Sequence, residues 1–161
     1  AICFLKGTPV KTDQGEIPIE QITNKNTINL LPVIGIVKSL NQEAYMVNIT
    51  KNSLGNNIPS QDTLITPTHG VYIDNTSKLS EKHGHLIHAK HLINDNDILK
   101  IDTGKIMVYN VLLKKHAPMI VNNMIVETLH PSHRLAVKYR IANHVRGLSS
   151  RKHRRVRHIP R

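Results

Sequence analysis

The sequence predicts an all-β domain, and two of its features support that prediction. The apolar residues are mostly Ile, Leu and Val, since the chain of 161 residues has no tryptophan and only one phenylalanine. These residues fall in runs of about four to eight, separated by turn-forming residues, which favours strands over helices. A chain of this length can form one domain with a substantial hydrophobic core.

The first predicted element is a β-hairpin that begins a few residues after Cys3, the only cysteine. A strand pattern of alternating apolar and polar residues surrounds Val10. Residues 13–15 supply the turn, with Gly15 where a positive φ is needed, and the apolar pattern resumes over 17–22.

The remaining strand candidates are short apolar runs of the same kind. They are residues 28–31, 33–39, 45–50, 63–65, 71–73, 98–101, 106–113 and 118–126. Residues 52–57 and 74–84 are predicted loops, and residues 88–94 are predicted to form one or two helical turns. Asn122-Asn123 predicts a tight turn, because asparagine tolerates a positive φ.

Charge separates the C-terminal part of the chain from the rest. Residues 1–130 contain twelve Lys and Arg and all eleven acidic residues, whereas residues 131–161 contain ten basic residues and no acidic one. Pro131-Ser132 predicts a helix cap, and apolar residues recur at helical spacing up to Gly147. We therefore expect a domain over residues 1–131 and a basic helical tail over residues 132–161.

The end of this tail is a basic arm that can neutralise phosphates, which predicts nucleic acid or an acidic protein as a partner. The candidate anion-binding residues are Arg151, Lys152, Arg154, Arg155 and Arg157. Tyr139 is the one aromatic residue of the tail that could stack on a base, so recognition of a base sequence has little support. The alternative is a solvated tail or linker.

The rest of the composition excludes several classes of protein. One cysteine rules out an internal disulfide framework and fits a reducing, intracellular compartment, with an extracellular unpaired thiol as the alternative. No apolar stretch of about 18 residues is present, so we predict no membrane span. No signal peptide is evident, but the chain begins without Met, so its export history is not readable.

A histidine-rich segment raises the question of a zinc site. The four histidines are His83, His85, His88 and His91. The last two share a face if the segment forms a helical turn. No cysteine accompanies them, Lys82 and Lys90 oppose a bound cation, and eleven histidines in the chain make chance clustering easy. We predict no metal site and no cofactor.

Cys3 suggests chemistry on the chain itself. A thiol at the entrance of a hairpin is held against the preceding peptide bond, and attack on the Ile2 carbonyl would give a thioester. This splits one difficult amide cleavage into two easier steps. The alternative is that Cys3 is a small buried hydrophobe in a core strand.

Four blocks, in order and over roughly residues 3–131, resemble the Hint (hedgehog/intein) domain family, and most closely its non-splicing branch. The blocks are Cys3 to Ile22, with Gly7-Thr8 and Ile19-Glu20-Gln21-Ile22; Leu64 to Ile73, with Thr66-x-x-His69; Leu86 to Ile93; and Val108 to Leu129. The resemblance implies the Hint β-fold, which is built from two similar halves.

The resemblance also implies four catalytic residues. Cys3 would attack the Ile2 carbonyl, Thr66 would hold the scissile peptide, and His69 would protonate the departing nitrogen. General acid catalysis of this kind is typically worth about 10²–10⁴-fold. His116 matches the closing-block histidine and would assist breakdown of the thioester.

Three features of the sequence depart from a splicing protein. Glu127-Thr128 stand where inteins end in His-Asn, so no asparagine can cyclise and splicing is not expected. Asn110 stands where inteins often have an aspartate, and an amide cannot take a proton from Cys3. Ala1 and Ile2 precede Cys3, whereas a fully efficient cleaver is expected to begin at Cys3; an added remnant, an uncleaved precursor and dormant chemistry are the three alternatives.

Two functions are therefore open at this point. The first is self-cleavage, with an upstream fused polypeptide as substrate in cis and water or another nucleophile as acceptor. The second is a degenerate, inactive Hint scaffold for assembly, for example in a virus particle, with a basic tail that binds nucleic acid or other anions.

Overall fold

The computed structural model describes residues 2–73 and 85–140, and within these the chain forms twelve β-strands and one α-helix. The strands are β1 (Pro9–Thr12), β2 (Gly15–Pro18), β3 (Thr27–Ile28), β4 (Leu31–Leu40), β5 (Tyr45–Ile49), β6 (Thr63–Ile65), β7 (Gly70–Tyr72), β8 (Leu86–His88), β9 (Ile98–Asp102), β10 (Met107–Leu113), β11 (Met119–Val121) and β12 (Met124–Val126). The helix α1 is described over residues 134–140. The prediction of a mostly β fold with a short C-terminal helix is confirmed.

Three sheets contain these strands. The largest has the order β2-β1-β11-β12-β7-β8, and the two smaller ones have the orders β10-β4-β3 and β6-β5-β9. Two predicted turns join neighbours in the largest sheet. Gly15 has a φ of +102° at the β1–β2 turn, and Asn122 and Asn123 have φ values of 47° and 65° between β11 and β12.

The longest pairing is between β4 and β10, and it fixes the position of Asn110. The two strands run antiparallel from the pair Met107 and Leu40 to the pair Leu113 and Val33, and Asn110 lies opposite Val37. A register shift occurs between Leu112 and Leu113. Asn110 precedes this irregularity, so its backbone lies within the regular ladder.

The core consists mainly of Ile, Val, Leu and Met side chains, as the composition requires. Phe4 is fully buried within it, although it lies only four residues into the chain. A second, smaller cluster joins Val37, Leu112 and Leu129 to Ala136 of helix α1. The N-terminal segment and the helix therefore both pack against the body of strands.

Two strand predictions were wrong in detail. Residues 28–31 do not form one strand, because Asn29 and Leu30 have positive φ values of 49° and 66° and make a turn between β3 and β4. The Asp13 carboxylate fixes this turn by accepting the Leu30 N–H at 2.8 Å. Likewise the strand predicted over 17–22 ends at Pro18, and Ile19–Gln21 form a 3-10 turn.

The helical predictions are confirmed only in part. A 3-10 turn forms at Ala89–Leu92, within the predicted segment 88–94. The cap of α1 is His133 and not Ser132, because His133 Nδ1 accepts the Leu135 N–H at 3.2 Å. The helix predicted up to Gly147, the basic arm and the loop 74–84 lie wholly or partly outside the described residues.

Residues 2–73 and 85–140 hold neither a membrane-spanning helix nor a cluster of metal-binding side chains. Among these residues no helix has the length and hydrophobicity of a membrane span. In the same residues no three His, Cys, Asp or Glu side chains group so that they could hold a metal ion, and His83 of the histidine-rich segment lies outside them.

Candidate functional site

Backbone pairing holds the N-terminal segment between two sheets. Phe4 forms antiparallel bridges with Ile65 of β6 and with Tyr109 of β10. Its N–H donates to the Tyr109 carbonyl and its carbonyl accepts from the Tyr109 N–H, both at 2.8 Å. Because Cys3 directly precedes Phe4, these bonds bring Cys3 beside Asn110 and beside the turn that follows β6.

The peptide between Ile2 and Cys3 is held on both sides by buried side chains. Asn110 Nδ2 donates to the Ile2 carbonyl oxygen at 2.5 Å. Thr66 Oγ1 accepts the Cys3 N–H at 2.8 Å, and the Thr66 N–H donates to the Cys3 carbonyl at 3.1 Å. Asn110 and Thr66 have no exposed surface. Water therefore does not compete for these hydrogen bonds, and the peptide has a fixed orientation.

His69 lies on the same turn as Thr66. The His69 N–H donates to the Thr66 carbonyl at 3.1 Å, so the spacing of three residues does form a tight turn. The ring is fully buried and packs against the Phe4 ring, with 4.6 Å between centroids. Its Nε2 is 2.7 Å from the Glu127 carbonyl oxygen, and its Nδ1 is 3.4 Å from the Cys3 carbonyl oxygen.

Glu127 decides which nitrogen of His69 carries the proton. Both ring nitrogens face carbonyl oxygens, which only accept hydrogen bonds, and a neutral ring has one N–H to donate. The shorter contact, 2.7 Å against 3.4 Å, assigns that N–H to Nε2 and leaves Nδ1 with the lone pair. Burial lowers the pKa of His69 to about 4, which keeps the ring neutral at pH 7. The Glu127 carboxylate also accepts the Gly70 N–H at 3.0 Å and so ties the two segments together. His69 is therefore a neutral ring at pH 7 whose Nδ1 faces the Cys3 carbonyl oxygen.

The Cys3 side chain lies in an apolar environment. It is 1% exposed and packs with Met46 and Val108. Burial raises its pKa to about 12, because the apolar surroundings disfavour the thiolate. The thiol is therefore protonated at neutral pH, and a base is needed before it can attack.

The other predicted site residues lie elsewhere or outside the described residues. His116 is exposed, and its ring packs against His130 with 4.6 Å between centroids. His88 and His91 are stacked with 6.1 Å between centroids. The predicted anion-binding residues of the arm lie in the part of the chain that is not described.

The structure adds two residues to the site that the sequence had presented only as departures. The sequence identifies Asn110 as a residue that cannot act as a base, and Glu127 as one that cannot cyclise. In the fold, Asn110 contacts the Ile2 carbonyl and Glu127 holds the His69 ring. The closing-block match indicated both positions, but only the geometry shows that Asn110 acts through its side-chain amide and Glu127 through its main-chain carbonyl.

Comparison with known proteins agrees with this fold. No curated protein sequence matches the chain. A splice-inactive variant of the AceL NrdHF class 3 split intein is 12% identical, covers 80% of this chain and 99% of its own, and has a TM-score of 0.50. A variant of the Ssp DnaB mini-intein is 14% identical over 80% of this chain and 95% of its own, with a TM-score of 0.49. The sequence model of the Hint domain matches residues 34–133, which is more than half of the chain, and the chain therefore belongs to the Hint domain family.

Proposed function

We propose that this Hint domain is an autoprocessing module in which Cys3 cleaves the Ile2–Cys3 peptide bond by an N–S acyl shift, without splicing. The observation that carries the proposal is that buried side chains hold the peptide between Ile2 and Cys3 in one orientation. Its amide hydrogen is bonded to Thr66, and a neutral imidazole with a free lone pair lies 3.4 Å from the carbonyl of the same cysteine. The substrate is the polypeptide fused upstream of Cys3.

The first step moves one proton from the thiol to the leaving nitrogen. His69 Nδ1 takes the proton of the Cys3 thiol as the sulfur bonds to the Ile2 carbonyl carbon. The imidazolium then gives that proton to the Cys3 nitrogen as the C–N bond breaks, which leaves a thioester and a free amine. Protonation at Nδ1 also turns the contact with the Cys3 carbonyl into a hydrogen bond, which stabilises the charged ring.

Thr66 orients the bond that breaks. Its hydroxyl accepts the Cys3 N–H at 2.8 Å and so fixes the plane of the amide relative to His69. Removing one hydrogen bond that tightens in a transition state typically costs about 3 kcal/mol, or about 10²-fold in rate. Thr66 is therefore a positioning residue of substantial effect.

The second step releases the upstream polypeptide to water or to an added nucleophile. Splicing is not open to this chain, because neither Glu127 nor Thr128 can form a succinimide. The Thr128 hydroxyl instead donates to the Ala117 carbonyl at 2.5 Å and is almost fully buried. His116 remains the residue predicted by resemblance to assist this step, although its described ring contact is with His130.

The test is a fusion that carries a longer segment upstream of Ala1, with Cys3 intact and with Cys3→Ala. Incubation with dithiothreitol or hydroxylamine should release the upstream segment only from the fusion with the thiol, as measured by intact mass. A hydroxamate on the released segment would identify the thioester. A fusion with Cys3 intact that stays whole under both nucleophiles contradicts the proposal.

One observation favours a second candidate, an inactive Hint scaffold. The apolar environment of Cys3 and its pKa of about 12 suit a packed side chain as well as a dormant nucleophile. A scaffold would bind partners through the predicted basic arm, and such binding weakens steeply with salt. A titration of duplex DNA at increasing salt tests this candidate, and no binding at low salt would remove nucleic acid as a partner.

A further inference from the structure

We infer that Asn110 is a catalytic residue of the acyl shift, whose side-chain amide polarises the Ile2 carbonyl and stabilises the oxyanion that forms when Cys3 attacks. The inference rests on the proposed function. It gives Asn110 the role of a hydrogen-bond donor, where the sequence alone shows only that it cannot act as a base.

The hydrogen bonds of Asn110 determine which end of its amide faces the Ile2 carbonyl. Oδ1 accepts the Val111 N–H at 2.7 Å, and Nδ2 donates to the Ile2 carbonyl at 2.5 Å. Exchanging the two ends of the amide would set Nδ2 against the Val111 N–H and Oδ1 against the Ile2 oxygen, which loses both bonds. Only one orientation satisfies both neighbours.

The fold holds this donor rigidly. Asn110 is 0% exposed and lies within the β4–β10 ladder, opposite Val37. The segment that carries the Ile2 carbonyl is held against the same strand, because Phe4 exchanges two hydrogen bonds with Tyr109, the neighbour of Asn110. Donor and acceptor are thus both aligned before the reaction, so little reorganisation is needed as charge develops on the oxygen.

The chemistry of the attack favours an amide at this position. As the Cys3 sulfur bonds to the Ile2 carbonyl carbon, the carbonyl electron pair moves onto oxygen. An ionised aspartate there would repel that charge, whereas the Asn110 N–H stabilises it and keeps its own proton. Asn110 therefore leaves both proton transfers to His69, and the two residues act on different atoms of the same peptide bond.

The first experiment measures cleavage of the upstream fusion in dithiothreitol. Asn110→Ala and Asn110→Asp are each expected to slow cleavage by about 10²–10³-fold, which is the usual effect of removing one oxyanion donor. The aspartate variant is informative, because its carboxylate still accepts the Val111 N–H. The control is Asn41→Ala, which removes another fully buried asparagine whose amide donates to the Tyr45 carbonyl at 2.9 Å. This control is expected to cleave at the normal rate.

The second experiment does not depend on cleavage. In a Cys3→Ala chain with a ¹³C-labelled Ile2 carbonyl, adding Asn110→Ala should shift the carbonyl resonance upfield, because the carbonyl loses its hydrogen bond. An unchanged resonance, or normal cleavage by Asn110→Ala, overturns the role of Asn110 while the acyl shift stands. Failure of the fusion with Cys3 and Asn110 both intact to cleave overturns the proposed function, and with it any catalytic role for Asn110.

Discussion

Acid should destabilise this protein through His69, by an amount that follows from its burial. The ring is fully buried and its pKa is lowered to about 4, against 6.5 for an unperturbed histidine. The unfolded chain therefore binds a proton at a pH where the folded chain does not. The stability that neutral His69 provides is fully present above about pH 6.5 and falls as the pH drops toward 4.

The size of the loss can be worked from the two pKa values. A difference of about 2.5 units corresponds to about 3 kcal/mol at 1.36 kcal/mol per unit, of which about 2 kcal/mol is already lost at pH 5. A domain of this size is typically stable by about 5–15 kcal/mol, so the effect is large enough to measure.

The assay is urea unfolding at intervals between pH 7.5 and pH 4 for the original chain and for His69→Gln. A glutamine can still donate an N–H toward the Glu127 carbonyl but does not titrate. As the pH falls over this range, the unfolding free energy of the original chain should drop by about 3 kcal/mol relative to that of His69→Gln. Burial also lowers the pKa of His133, but both chains contain this histidine, so its contribution cancels in the comparison. Parallel stability curves for the two chains would refute the buried, neutral His69.

Three other predictions concern the scissile peptide, the helix and the thiol. Thr66→Val should slow cleavage of the fusion by about 10²-fold. Thr66→Ser should slow it much less, because serine keeps the hydroxyl. Equal rates in the two variants would show that the Thr66 hydroxyl does not orient the peptide. Gly35→Ala should lower the free energy of unfolding by about 1–3 kcal/mol, because the added Cβ would lie 1.8 Å from the Tyr139 hydroxyl. Most of this loss should disappear when the same substitution is made in a Tyr139→Ala chain. Cys3 should react with maleimide only after denaturation, because the side chain is 1% exposed and its pKa is raised to about 12. The measurement is the mass of the chain, and rapid labelling of the folded chain would argue against the burial of Cys3.

Much of the fold could be predicted from the sequence because its signals are local. The turns at Gly15 and at Asn122-Asn123 form where predicted, since residues that tolerate a positive φ are needed there. The run over 28–31 was misread, because the carboxylate that fixes the turn at Leu30 comes from Asp13, seventeen residues earlier. Periodicity within the run carries no sign of that contact.

The site divides in the same way. The block matches identify Cys3, Thr66 and His69 as candidates, and the structure brings all three together around one peptide. What the sequence could not supply is the protonation state of His69, which depends on burial and on the carbonyl of Glu127, fifty-eight residues away. No local pattern encodes the dielectric environment of a ring or the carbonyl that its nitrogen reaches.

By itself, then, the sequence determined an all-β Hint domain with Cys3, Thr66 and His69 as candidate residues. It also determined that Glu127-Thr128 cannot form a succinimide, because each of these points depends on residue identity and order along the chain. Only the tertiary structure decided what Asn110 contacts. It is an amide that cannot act as a base, yet its Nδ2 lies 2.5 Å from the Ile2 carbonyl, 108 residues away in sequence. The reason is that the Asn110 amide and the Ile2 carbonyl meet only when the N-terminal segment pairs with β10. That pairing sets both the length and the direction of the hydrogen bond between them.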